Sequence, residues 1–463
     1  MVQHLRRLNT NGMNRSVLRL AVPSILANIT IPLVGIVDVA ITGHLSDASA
    51  VGGIAVGTML FDLLYWNFGF LRVGTSGMTA QAYGRHNRRE TRELLVQSTG
   101  TAIAAAVMIW LLQWVFVTAV LALMPCSPEV ADFARRYFFI RVWAAPATLT
   151  LFALKGWFIG MQNTVAPMIT DIVVNVVNMA ASYYLAVYTP LGAIGVAWGT
   201  LLAQYVGLLT AAVCTAVLLK RQNTETAQGK WHDTCTIRLR EALTWTKMRR
   251  LFVLNGNLFI RSLCFMVVYV GYTAIASGYG DTELAVSAIM MKLFMFFSYF
   301  VDGFAYAGEA LTGKLGVQAD DNTVSASWHK TAQVNEVVKL LFIWATAVGI
   351  VFSLVYWFFS KQLVGIMSAD AATLAASAHY FAWLALMPFI SSLAFMWDGI
   401  YIGATAAVPV RNCMIWSAVG FVVTYIALAP LVGIQALYAG YFMHLLVRTV
   451  YLTLAWRRVD AAR

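Results

Sequence analysis

Twelve apolar runs, each long enough to cross a hydrocarbon layer, set the terms for everything else in this 463-residue chain. They fall at roughly 17–43, 51–80, 94–124, 132–160, 165–188, 192–219, 248–277, 284–313, 332–360, 373–402, 410–430 and 432–456. A helix needs about 20 apolar residues to span a bilayer. Inside lipid the backbone must satisfy its own N–H and C=O groups, which a helix does within one segment. The pattern predicts an all-α polytopic membrane protein with twelve transmembrane helices. Only 11% of residues are charged, against about 25% in a soluble domain, too few for a water-facing coat.

The basic residues say which way the chain threads. Arg85, Arg88, Arg89 and Arg92 share one set of loops with Lys220, Arg221, Lys230, Arg238, Arg240, Lys247, Arg249, Arg250, Lys314, Lys330 and Arg411. The N-terminus, Arg457 and Arg458 belong with them. The opposite loops, such as His44-Leu45-Ser46-Asp47 and Ser368-Ala369-Asp370, hold few cations; Arg135, Arg136 and Lys361 are the exceptions. The positive-inside bias predicts two cytoplasmic termini in the plasma (inner) membrane. It also accounts for the net charge of +11 without nucleic acid, for which no basic module is present. The run from Val17 to Thr42 is too long for a signal-peptide core and carries Pro23, Pro32 and Asp38, so it is expected to remain as the first span. Cys126, Cys214, Cys235, Cys264 and Cys413 form no CxxC and no metal-ligand spacing. They are expected to be free thiols, mostly buried, with no metal.

The longest polar stretch, 220–247, divides the chain into lobes 1–219 and 248–463 of six spans each. The halves look alike: Gly69-Phe70-Leu71-Arg72-Val73-Gly74 ends the second span, and Gly303-Phe304-Ala305-Tyr306-Ala307-Gly308 ends the eighth. Two halves facing the same way imply a parallel repeat, with substrate held in a cavity between or within them.

Ionisable groups at bilayer depth cost about 2.5–3.5 kcal/mol on insertion scales, so each is a functional candidate. Asn28, Gly35, Asp38 and Thr42 fall within an arc of about 80° on the first helix. No basic residue on that helix lies one turn from Asp38, which makes it a candidate proton or cation carrier; a satisfied structural Asp is the alternative. Asp171, Asn175, Asn178 and Ser182 form one face of the fifth helix, lining a cavity or gluing helices together. In the second half Arg261, Asp302, Glu309 and Asp398 form a polar network, structural or functional. Asp62, Arg72 and Arg141 are open in the same sense.

Catalytic motifs fail. Gly308-Glu309-Ala310-Leu311-Thr312-Gly313-Lys314 starts like a P-loop, but Leu315 stands where Ser or Thr must hold magnesium. No HExxH or GxSxG occurs, so no enzyme is expected. Gly156 to Gly160 and Gly195 to Gly199 are GxxxG pairs that mark helix contacts.

Leu20-Ala21-Val22-Pro23, Val37-Asp38 and Gly43-His44-Leu45 resemble the first helix of the multidrug and toxic compound extrusion (MATE) family, DinF-like branch. Thr79-Ala80-Gln81-Ala82-Tyr83-Gly84, Asp302 to Ala307 with Glu309, and Asp398-Gly399 with Gly403-Ala404-Thr405 and Arg411-Asn412 look like its second, eighth and tenth helices. The resemblance implies a V-shaped pair of six-helix bundles working by alternating access. It implies Asp38 as the coupling carboxylate, Pro23 as the bend, Asn178 as the fifth-helix asparagine and Asp398 as a carboxylate linked to cation coupling in a sister branch. Ser182 replaces the second Asp of many relatives, and the seventh-helix Glu of sodium-coupled members is absent. Both departures point to protons.

The expectation is a proton-coupled antiporter that exports amphipathic, cationic organic compounds as a monomer in lipid, with no cofactor beyond the proton gradient. A sodium-coupled exporter and a lipid-linked precursor flippase are the alternatives.

Overall fold

A computed structural model describes residues 2–45, 48–123, 126–227, 239–317, 328–368 and 370–459. Side chains are described within these ranges except at 2–11, 36, 38–40, 42–51, 123, 223–227 and 239–240. The described residues are almost entirely helical. The spans are α1 (Val2–Leu45, apolar over Gly12–Gly35), α2 (Gly52–Gly84), α3 (Arg88–Ala122), α4 (Pro128–Gly160), α5 (Val165–Val187) and α6 (Gly192–Gln222). They continue as α7 (Trp245–Ser277), α8 (Asp281–Leu315), α9 (Ala332–Met367), α10 (Ala371–Gly403), α11 (Ala407–Val432) and α12 (Gln435–Trp456). Among the described residues, eleven hold a stretch long and apolar enough to cross a membrane. The 22 residues of α12 reach about 33 Å, the needed length, but the helix carries the fully buried His444 and Arg448.

Contacts divide the chain into one unit of Leu26–Asn255 and another of Met1–Ile25 with Gly256–Arg463. Within the first, α2 packs on α3 and α4, α3 on α4, α4 on α6, and α5 on α6. Within the second, α8 packs on α9 and α10, α9 on α10, α10 on α12, and α11 on α12. The second pattern is the first shifted by six helices. Both fourth helices are interrupted by a 3-10 turn, at Val142–Ala144 in α4 and Ala378–Tyr380 in α10.

Paired glycines bring the backbones of neighbouring helices together in both units. A Cβ on Gly156 of α4 would stand 2.2 Å from the Arg72 carbonyl oxygen of α2, and one on Gly399 of α10 2.3 Å from that of Ala305 on α8. One turn on, Gly160 abuts the backbone at Ser76 and Gly403 the backbone at Glu309. Arg72 therefore matches Ala305, one residue out of step with the Gly69 and Gly303 alignment read from sequence. Glycine here lets backbones touch, the GxxxG role expected of Gly156 and Gly160.

In the Leu26–Asn255 unit a core of Leu60, Phe61, Tyr137, Phe138, Leu149 and Val196 joins α2, α4 and α6. The Phe61 and Phe138 rings stack at 5.0 Å. Arg141 lies over Phe61 at 4.7 Å and donates to the Tyr137 hydroxyl at 3.1 Å. A cation over a ring face is drawn to the ring's negative quadrupole, and Arg141 also acts by charge on Asp62.

Cys126, Cys214 and Cys264 are half-buried free thiols and Cys413 is buried. The expectation that most are buried therefore holds only for Cys413. Helix surfaces facing lipid leave side chains open, whereas Cys413 lies within its own bundle. Cys235 and the rest of 228–238 lie outside the described residues.

Candidate functional site

The polar face of α5 is distributed among three neighbours. Asp171 forms an ion pair with Lys155 of α4. The Asn175 amide donates to the Thr30 hydroxyl of α1. The Asn178 amide donates to the Thr200 hydroxyl of α6 at 2.9 Å. Ser182 is fully buried where Gly199 of α6 comes against it; a Cβ at Gly199 would stand 2.5 Å from the Ser182 nitrogen and hydroxyl. Ser182 thus lies in the α5–α6 seam, where it was expected to line the cavity. Two buried atoms of this face, Asn178 Oδ1 and Ser182 Oγ, have no hydrogen-bond partner among the described residues. Such orphans are uncommon in buried interiors.

On α1, Asn28 is buried and Pro23 half-buried. Pro23 has no N–H to give the Arg19 carbonyl, which removes one helical bond. The division between contact units falls two residues later, between Ile25 and Leu26. The backbone at Asp38 and Thr42 is helical; their side chains lie outside the described residues. Asp38 is eight residues beyond Thr30, about 12 Å along the axis.

The second unit holds a buried ion cluster. Arg261 of α7 donates to Asp398 Oδ2 at 2.7 Å, and Arg448 of α12 donates to the same oxygen at 2.6 Å. The Asp398 and Arg448 side chains are 7% and 2% exposed. Two guanidinium groups thus share one carboxylate, and Asp398 Oδ1 has no partner among the described residues. Arg448 also lies over the Phe395 ring at 5.2 Å. Of the four residues expected in this network, Arg261 and Asp398 meet; Asp302 is half-buried and Glu309 buried on α8.

Sequence reasoning missed Lys155, Arg448 and His444. A signal was present for the first two: an ion in an apolar segment needs an opposite partner. Asp171 called for a cation in its own half, and Arg448 stood unassigned in α12. The partner positions are also related by the repeat. Lys155 precedes Gly156 as Asp398 precedes Gly399, so equivalent places carry opposite charges.

The MatE family model matches residues 23–184 and 258–431, well over half of the chain. The chain belongs to the MATE family. It is 31% identical over 447 residues to the DNA damage-inducible protein F of Escherichia coli (strain K12), covering 96% of this chain and 92% of that protein. Against Protein DETOXIFICATION 44, chloroplastic, of Arabidopsis thaliana it is 22% identical over 456 residues, covering 95% and 81%. A crystal structure of MATE in the bent conformation superposes with a TM-score of 0.83 at 15% identity, covering 97% of this chain and 96% of that one. The straight conformation gives 0.82 over the same shares at 15% identity; at these identities the match speaks for the fold. As a MATE-family member the chain is a multi-pass membrane transporter for multidrug and toxin extrusion, and not an enzyme.

Proposed function

We propose that this MATE protein exports amphipathic organic compounds in exchange for protons, with Asp38 as the exchanging carboxylate. The observation that carries this reading is the state of the rival carboxylate. Asp398 is held by two guanidinium groups on one oxygen, a surrounding that leaves no net negative charge to attract sodium. Asp398 is thereby a poor cation carrier, and the coupling role falls to Asp38. The orphaned Asn178 Oδ1 and Ser182 Oγ lie seven and eleven residues along the face that begins at Asp171. Thr30 meets Asn175, so equal travel along α1 and α5 brings Asp38 to the level of Ser182. A protonated carboxyl at that level is a donor for acceptors that otherwise have none.

Protonation removes the charge of Asp38 and favours a dry, bent α1, with the bend at Pro23; deprotonation favours a hydrated, straighter one. A ligand or proton shifts such an equilibrium only through its different affinity for the two states. Asn28, Thr42, Asn175 and Asn178 contribute the polar wall of the substrate cavity in the first lobe. The protein works as a single chain in the plasma membrane with both termini cytoplasmic.

The test is efflux from proteoliposomes under an imposed pH gradient or an imposed sodium gradient. The reading expects efflux of amphipathic cations with the first and none with the second. Efflux on sodium alone overturns it. The cations of the second lobe outnumber Asp398 within its cluster, which favours one further outcome: transport of a phosphate-bearing lipid-linked precursor. That result would replace the cationic substrate class.

A further inference from the structure

Where α10, α11 and α12 end on the side of Arg411 and Arg457, the second unit encloses a cavity of about 780 Å³. Its walls are apolar, with Val408 and Pro409 from the start of α11 and Leu454 from the last turn of α12. Its charged lining is Arg457 and Arg458, joined by the polar side chains of Asn412, Thr405 and Tyr451. Neither arginine meets a carboxylate among the described residues. Asn412 is oriented by its neighbour: its Oδ1 accepts from Arg411 Nε at 3.0 Å and Nη2 at 2.8 Å. Arg411 is itself anchored by donating to Asn257 Oδ1 at 2.8 Å. With that oxygen occupied, Asn412 offers its surroundings the amide's donor end. The charged lining is thus cationic, with no acid among the described lining residues.

The depth of the cavity is marked by aromatic side chains. Trp456 packs against Trp397 at 5.3 Å, Tyr401 at 5.4 Å and Trp328 at 5.8 Å. Lys330 lies over the Trp456 ring at 5.0 Å and donates to the Trp456 carbonyl. Clustered Trp and Tyr beside Lys and Arg mark the headgroup level of a membrane. An apolar slot topped by two free guanidinium groups at that level matches a molecule with an acyl chain below and a phosphate above. The volume is of the size that holds a small amphiphile, about 300–1,000 Å³.

We infer that this cavity binds an anionic phospholipid, its phosphate held by Arg457, Arg458 and Asn412 and an acyl chain laid between Val408 and Leu454. The site lies within one unit and shares no lining residue with the Asp398 cluster.

Native mass spectrometry of the full-length protein released from detergent micelles tests this, with phosphatidylglycerol, phosphatidylcholine or glycerol phosphate added. Two positive charges at the surface predict retention of phosphatidylglycerol about tenfold above phosphatidylcholine, and a loss of most of that preference in R457A/R458A. Both arginines are exposed, so the variant is expected to fold. V408W keeps both charges and fills the apolar slot; it is expected to lose the lipid as the double variant does. Three results overturn the inference: wild-type retention in V408W, which makes the effect one of surface charge alone; equal retention of the two lipids; or binding of glycerol phosphate as tight as that of the lipid.

Discussion

Asp398 of α10 and Arg448 of α12 meet at 2.6 Å, fifty residues apart, with the guanidinium almost wholly withdrawn from solvent. With Arg261 on the same oxygen, the pair ties three helices of one unit together. Buried ions of this kind are costly to separate and less costly to replace together.

Removing only the acid therefore strands one buried cation, Arg448, and one half-buried cation, Arg261. Asp398→Asn is expected to lower stability by about 3–5 kcal/mol, read as a fall in Tm in detergent. Replacing the whole cluster, with Arg261→Met, Asp398→Leu and Arg448→Met combined, is expected to restore most of it. If the triple variant is less stable than Asp398→Asn, the cluster is not a simple tie.

The glycine contacts give a second expectation. Ala at Gly156 or Gly399 places a methyl 2.2 or 2.3 Å from a neighbouring carbonyl oxygen, and overpacking costs about 1–3 kcal/mol. Gly256 has nothing within 4 Å, so Gly256→Ala is expected to be neutral or stabilising. Thermal unfolding of the three single variants in one detergent separates these outcomes.

Ser182 distinguishes a seam from a cavity. Its hydroxyl is buried and unbonded, so Ser182→Ala is expected to keep full stability and expression. Ser182→Asp, which restores the second carboxylate of many relatives, places a larger charged group against Gly199. It is expected to cut the yield of folded protein. A stable Ser182→Asp variant with new sodium-dependent transport would show that the seam opens.

Asp370 caps the helical turn that begins α10. Its Oδ2 accepts from the Thr373 hydroxyl at 2.7 Å and the Thr373 amide at 2.9 Å. These bonds hold its carboxyl below the usual carboxylate range. A depressed folded pKa contributes stability above the unfolded value, about 3.9, and loses it as pH falls through the folded one. The stability difference between wild type and Asp370→Ala is therefore expected to be full at neutral pH and to vanish under strongly acidic conditions. Unfolding curves at several pH values report it.

The helices were legible because lipid imposes one length and one backbone solution on every span. The repeat was legible in outline but one residue out of register, because Phe70 to Gly74 and Phe304 to Gly308 share composition and not contacts. α12 is less apolar than the other spans because it carries His444 and Arg448, and the charge of Arg448 is answered by Asp398 on another helix. The pairing of Lys155 with Asp171 was hidden for the same reason. Periodicity puts residues on one face of one helix and says nothing of which helix that face meets. The α5 face is the clearest case: one stripe in sequence, and contacts to α4, α1 and α6 in space.

The central claim is that Asp38 exchanges a proton as the protein cycles. It is tested most directly by proton release on substrate addition, with Asp38→Asn and wild type reconstituted at equal density and the same dye added to each. The account predicts release from wild type and none from Asp38→Asn, together with loss of pH-driven efflux. Full release and full efflux in Asp38→Asn would contradict it and move the coupling site elsewhere.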